Sequence, residues 1–219
     1  MSGLYYYFIR FLLSIVFLLF TRRQVKGREN IPKKGPLLVV VNHVSMVDPP
    51  LVAVVFNRRL KFMAKEELFR SWFLGFIVGN LGVFPVQRGK PNREALRRAE
   101  TILAKGQALV IFPEGTRSRD VRLQAALHGA AQIARRGKAP LIPVAIAVSR
   151  NPADKRWFLK RPRVVVNIGR PFYLPPADDK LAKERRVELT NLIMKRIAEL
   201  LPAEHRGDYG ELVTADDAS

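Results

Sequence analysis

A chain of 219 residues is long enough for one full hydrophobic core, and 38 Lys and Arg against 19 Asp and Glu give it a formal net charge of +19, which calls for an anionic partner. The absence of cysteine excludes disulfides, a thiolate nucleophile and a cysteine-based zinc site. The three histidines, His43, His128 and His205, are too widely spaced to form a recognisable ligand cluster, so no metal is expected.

Residues 4–20 are apolar apart from Arg10, Ser14 and the three tyrosines at their start. A bilayer crossing takes about 20 apolar residues, so the stretch is short for a span. Thr21-Arg22-Arg23-Gln24 offers no small-residue cleavage site, which argues against a secretory signal. The tyrosines suit a membrane interface, and Arg22, Arg23, Lys26 and Arg28 suit its cytoplasmic side. Residues 1–26 therefore read as a membrane-anchoring helix with a basic flank, spanning or half-buried, that keeps the protein on the cytoplasmic face of the cell membrane.

A polar, turn-rich linker opens the main domain, residues 27–202. The apolar run 37–41 predicts a buried strand, and Asp48-Pro49-Pro50 opens a helix over 49–56. A strand is expected at 60–64. The apolar stretch 72–78, led by Trp72, suits either a buried helix or a membrane-dipping surface. A strand at 81–86 runs into Gln87-Arg88-Gly89. A helix at 92–105 has Leu96, Ala99, Ile102 and Leu103 on one side and stops at Gly106. A strand at 108–112 leads into a polar loop, followed by an amphipathic helix at 123–136 and strands at 140–148 and 163–168. A charged helix at 178–201 has the inner face Leu189, Ile193, Ile197 and Leu200, and residues 203–219 read as an acidic, flexible tail. Strands alternating with helices predict an α/β fold, a mixed, mostly parallel sheet covered by helices, with ligands at the carboxyl ends of the strands.

His43, Arg88 and the loop from Glu114 to Arg117 each follow such a strand. His43 and Asp48 are five residues apart, which on one helix does not bring side chains together; they meet only if the backbone turns between them, and Ser45 suits such a turn. Each residue also has a structural reading: Asp48 as the N-cap before Pro49, Ser45 and Asp48 as a capping box, His43 as a hydrogen-bonded strand end.

Four ordered blocks carry a resemblance: Asn42-His43-x4-Asp48; Gly82-Val83-Phe84-Pro85-Val86-x-Arg88; Phe112-Pro113-Glu114-Gly115-Thr116-Arg117-Ser118; and Ile142-Pro143-Val144-Ala145-Ile146. Together, over roughly residues 27–170, they resemble the glycerolipid acyltransferases, and within that family the bacterial 1-acylglycerol-3-phosphate acyltransferases. The resemblance implies transfer of a fatty acyl group from a thioester to the free hydroxyl of a lysophosphatidate, giving phosphatidate. His43 would be the general base and Asp48 would hold its tautomer, with the nucleophile supplied by the substrate and no acyl-enzyme. Glu114, Gly115, Thr116 and Arg117 resemble the acceptor-binding block; Arg117 offers a bidentate fork to phosphate, and Arg88 is a second cation. Glu114 would orient Arg117 or bind glycerol hydroxyls. Asn42, Ser45 and Pro143 are supporting residues, Pro143 as an acyl-site wall or simply part of a buried strand.

No cofactor is implied beyond acyl-CoA or an acylated carrier protein as co-substrate. The partners implied are lysophospholipid, acyl thioester and membrane lipid, with acyl carrier protein as a further candidate and no nucleic acid. Two departures stand out. Many relatives carry a Gly shortly after the Arg-Ser, where this chain has Arg119-Asp120-Val121-Arg122, and a Phe-Lys-x-Gly-like step where it has Leu127-His128-Gly129. Acylation of another lysolipid or of glycerol 3-phosphate is the nearest alternative. A non-catalytic basic protein that binds membrane or nucleic acid is the alternative from another class, although no nucleic-acid motif is present.

Overall fold

The computed structural model describes residues 3–65, 83–86, 93–150, 152, 158–175 and 183–217. Seven strands form one sheet, β1 (Arg22–Lys26), β2 (Leu37–Val41), β3 (Leu60–Lys65), β4 (Val83–Val86), β5 (Ala108–Ile111), β6 (Leu141–Val148) and β7 (Arg163–Ile168), in the order β1-β7-β6-β2-β5-β3-β4. The five from β6 to β4 are parallel; β7 pairs antiparallel with β6, and β1 pairs parallel with β7. The sheet is thus mixed and mostly parallel, as the alternation of strands and helices predicts.

The central strand β2 is an unbroken apolar run because both of its faces are covered. Leu37, Val39 and Val41 face one core with α2 (Asp48–Val55) and Phe17 of α1 (Gly3–Phe20); Leu38 and Val40 face a second core with α3 (Arg93–Ala104), α4 (Gly129–Gly137) and α5 (Lys183–Ala198). The end of α3 follows its glycine: at φ 68°, Gly106 donates to Leu103 O (2.9 Å) and Gln107 N–H reaches back to Ile102 O (3.1 Å), satisfying carbonyls the helix leaves open.

The helix expected as a membrane anchor packs on the main domain. No helix among the described residues is long and apolar enough to cross a membrane. At 18 residues and 1.5 Å of rise, α1 is about 27 Å long, less than a hydrocarbon core of about 30 Å. It lies along α2 with Tyr6 and Phe17 buried, while Tyr7, Phe8, Phe11, Ile15, Leu18 and Leu19 remain exposed. Nor does residue 26 end a separate unit, since β1 is a strand of the main sheet.

The expected helix at 123–136 begins only at Gly129. Before it, the N–H groups of Leu123, Gln124, Ala126 and Leu127 donate to His205 O, Glu114 Oε2, Tyr209 Oη and Pro113 O, acceptors outside any helix of their own. Two of those acceptors come from the segment expected to be a loose tail. That segment folds as short turns and helix α6 (Gly210–Asp217), with Val213 buried in the second core. The apolar stretch 72–78 and Arg88 lie outside the described residues.

Candidate active site

At the carboxyl end of β2 the chain leaves the sheet at Asn42. The Asn42 side chain continues the ladder where the backbone stops: Nδ2 donates to Ile146 O (2.9 Å), and Ile146 N–H donates to Oδ1 (2.7 Å). Both bonds are buried, so Asn42 fixes the point from which His43 projects.

The backbone then turns, which is the condition for His43 and Asp48 to meet. One carboxylate oxygen of Asp48, Oδ2, accepts from His43 Nδ1 (2.8 Å) and from the backbone N–H groups of Val44 and Ser45 (2.7 Å each). Asp48 is 1 % exposed, so these three donors replace the water it has lost. The bond to a carboxylate assigns the proton to Nδ1 and leaves Nε2 with its lone pair. Neither simple cap describes Asp48. The helix begins at Asp48 itself with no side-chain cap, and Pro49 and Pro50 have no N–H to offer forward. The carboxylate reaches back to Ser45 N–H, one half of a capping box, while the Ser45 hydroxyl turns to Val47 N–H (3.4 Å). Asp48 lies in the first turn of α2, where the helix dipole favours its negative charge.

The loop after β5 closes on the same residue from the other side. Glu114 Oε1 accepts His43 N–H (2.7 Å), and Ser118 N–H donates to His43 O (2.8 Å). The loop thus touches residue 43 at both its ends, and Gly115, Thr116 and Arg117 form the arch between. Thr116 and Arg117 are exposed. Gly115 has φ 68°, and a Cβ there would stand 2.5 Å from Leu127 Cδ1, so glycine makes the arch possible. Phe112, at the end of β5, stacks on the His43 imidazole with centroids 4.2 Å apart and an interplanar angle of 27°.

Glu114 differs from the expectation of an acceptor-facing residue. It is 4 % exposed, and its second oxygen accepts Gln124 N–H (2.9 Å), so the carboxylate is occupied by backbone on both sides and serves to position His43. Burial pushes its pKa up to about 7, helped by the charges of Asp48 and Asp120, while the two N–H bonds pull it down. Pro143 is buried in β6 opposite Val40, the residue three before His43; its carbonyl accepts Gly169 N–H (2.9 Å) and its ring lies against Gly169. His128 is exposed, and its Nδ1 lies 3.0 Å from the buried Thr190 hydroxyl on α5. Val121 takes φ 61°, a backbone region unfavourable to β-branched residues.

Phe112 stands within a quoted block, but its ring contact with His43 carries no sequence signal of its own. Gln124 acts through its backbone and leaves none. Among the described residues no group of three or more His, Asp or Glu side chains is placed to hold a metal ion.

A Nδ1-protonated imidazole beside an exposed cationic arch, at the carboxyl ends of parallel strands, is suited to take a proton from a hydroxyl carried by an anionic molecule. The family model for acyltransferases matches residues 22–147. The chain belongs to the acyltransferase family. It is 31 % identical over 179 residues to a 1-acyl-sn-glycerol-3-phosphate acyltransferase of Bacillus subtilis, covering 81 % of this chain and 87 % of that one. A 1-acyl-sn-glycerol-3-phosphate acyltransferase of Borreliella burgdorferi is 28 % identical over 183 residues, 81 % of this chain and 70 % of that one. The crystal structure of the 1-acyl-sn-glycerophosphate acyltransferase PlsC from Thermotoga maritima superposes with a TM-score of 0.64 at 25 % identity, covering 89 % of this acyltransferase and 79 % of that chain.

Proposed function

We propose that this acyltransferase moves a fatty acyl group from an acyl thioester to the free hydroxyl of 1-acylglycerol 3-phosphate, making phosphatidate in phospholipid synthesis. The observation that supports the reading is the grip of one loop on residue 43: Glu114 and Ser118 bond the backbone of His43, and the exposed Arg117 lies in the arch between them. A base and a phosphate ligand on one rigid unit match an acceptor whose hydroxyl and phosphate share a glycerol.

His43 Nε2 takes the hydroxyl proton as the oxygen attacks the thioester carbonyl. Asp48 keeps the proton on Nδ1 and stabilises the imidazolium, in the manner of a triad whose nucleophile belongs to the substrate. As the tetrahedral intermediate collapses, the C–S bond breaks, the thiol leaves with the proton from the imidazolium, and the ester remains. Arg117 grips the phosphate with a planar fork, and Arg88 is a second cation for it. The thioester is carried by CoA or by acyl carrier protein, both anionic and both suited to so basic a chain. The outward apolar face of α1 rests in one leaflet rather than crossing it, on the cytoplasmic side where acyl thioesters and anionic headgroups are found.

The test compares lysophosphatidate with a phosphate-free lysolipid on the purified full-length protein, at fixed salt and equal membrane binding. Arg117→Ala is expected to lower kcat/KM for lysophosphatidate by about one to two decades, the worth of a charged hydrogen bond of about 1.5–3 kcal/mol, with the phosphate-free acceptor unaffected. Arg117→Lys should restore only part, because an ammonium lacks the fork. Equal slowing of both acceptors removes Arg117 from the phosphate and with it the main support for this substrate.

A further inference from the structure

One apolar side chain far from α1 in sequence is as exposed as those at the last turn of α1. Leu159, in the turn Phe158–Lys160, is 70 % exposed; at the last turn of α1, Leu18 is 68 % and Leu19 58 % exposed. The two places adjoin. Arg22 N–H donates to Pro162 O (2.9 Å), Arg161 Nη2 lies 3.4 Å from Leu18 O, and α1 touches the 158–160 turn. Around this apolar patch stand the exposed side chains of Arg22, Lys160, Arg161 and Arg163, and neither 158–163 nor 18–24 contains an acid.

The patch also has a defined place relative to the active site. Arg163 opens β7, which runs antiparallel to β6 with Val164 opposite Val148, at the carboxyl end of β6. Since β6 is parallel to β2, this is the end of the sheet from which His43 projects.

We propose that the 159–163 turn and the C-terminal end of α1 form one composite surface that docks on an anionic phospholipid bilayer, with Leu159 entering the interface beside Leu18, Leu19 and Phe20 while Arg22, Arg161 and Arg163 engage headgroup phosphates. The inference deepens, and rests on, the reading of α1 as a helix lying in one leaflet. An acidic protein would satisfy the cations alone. The bilayer is favoured because the apolar side chains between those cations continue along the whole outward face of α1, the amphipathic arrangement of an interfacial element. A contact off the line of α1 fixes a tilt about the helix axis that the α1 stripe alone leaves open. The tilt turns the His43 end of the sheet toward the leaflet that supplies a lipid acceptor.

The experiment measures partitioning of the full-length protein onto vesicles of phosphatidylcholine alone and with phosphatidylglycerol added, for Leu159→Ser, for Arg161→Ala/Arg163→Ala, and for Phe8→Ser on the outward face of α1. All these side chains are exposed, and the bonds of Arg161 to Leu18 O and of Arg163 to Gln24 Oε1 are at the surface, so thermal melts should match the parent closely. Leu159→Ser is expected to weaken binding several-fold on both vesicles; the double arginine variant should lose about fivefold per charge on anionic vesicles only. If Leu159→Ser binds like the parent while Phe8→Ser does not, the composite surface is overturned and the α1 reading stands. If neither changes binding, both fall. A double arginine variant that binds vesicles normally but raises KM for a carrier-protein donor reassigns the surface to an acidic protein and overturns the proposal.

Discussion

At the scale of single residues, the imidazole of His43 is fixed by Asp48 and Phe112 and its backbone by Glu114 and Ser118. The side chain therefore pays little entropy to reach its reactive geometry. His43→Ala should lower kcat by about 10²- to 10⁴-fold or more, as for a lost general base, with the fold intact. Asp48 separates into two roles by substitution. Asn keeps an oxygen for Val44 and Ser45 N–H but removes the charge that stabilises imidazolium, so Asp48→Asn should fold and turn over poorly. Asp48→Ala orphans two buried donors, at about 1–3 kcal/mol each, and should also lose melting temperature. Equal stability of the Asn and Ala variants would show that Asp48 does not hold the turn. Glu114 gives a pH signature. Its pKa is raised from 4.5 to about 7, so the folded state holds a proton that the unfolded chain releases earlier. The stabilisation it contributes is fully present below pH 4.5 and is lost as pH rises through about 7, an amount of at most about 3 kcal/mol. Gln cannot titrate, and its amide would face a backbone donor, so Glu114→Gln should be less stable and should lack this slope between pH 4.5 and 7. Denaturant titrations across that window, as the difference between the two proteins, measure it.

At the scale of elements, what could be read in advance was whatever carried its own periodicity or stop signal. β2 and β7 fall at the expected residues, and α3 ends at the expected glycine, because buried apolar runs and a left-handed Gly are local facts. The His43–Asp48 turn was legible from spacing and from the ordered blocks. β1 was not: Arg22-Arg23-Gln24-Val25-Lys26 has one aliphatic residue and is a strand only because the edge of β7 offers it a ladder. The short α4 and the folded C-terminal segment share one cause. Residues 123–127 carry a helical pattern, but acceptors from His205, Tyr209, Pro113 and Glu114 claim their N–H groups, and acceptors distant in sequence have no local signature. The partners of Glu114 leave no sequence signal for the same reason, since both are backbone groups. This stitching joins the C-terminal segment to the loop around His43. Tyr209→Phe removes the acceptor of the half-buried Ala126 N–H and should cost about 0.5–1.5 kcal/mol, read as a lower denaturant midpoint at unchanged slope. Val213→Asp buries a charge in the second core and should cost more. A chain ending at residue 202 that is as stable as the full protein would return the segment to the status of a loose tail.

At the scale of the whole molecule, a charge of +19 and the apolar outer face of α1 both lead to lipid, but through forces with different ranges, and salt separates them. Raising ionic strength from about 0.05 M to about 0.5 M shortens the Debye length from about 14 Å to about 4 Å and removes most attraction between exposed arginines and headgroups. Burial of Phe8, Phe11 or Ile15 is not screened and is, if anything, strengthened by salts excluded from protein surfaces. Binding to vesicles containing anionic lipid should therefore fall with salt and level off near the value for zwitterionic vesicles, whose own binding should change little. The two contributions then answer to different substitutions. Arg22→Ala should lower the excess seen at low salt and leave the plateau, whereas Phe8→Ser should lower the plateau and leave the excess. Transfer to a short-chain acceptor dissolved as monomers should be unaffected by Phe8→Ser, because Phe8 lies on the exposed outward face of α1. Binding that vanishes altogether at high salt would mean that the α1 face does not enter the bilayer and that attachment is electrostatic throughout.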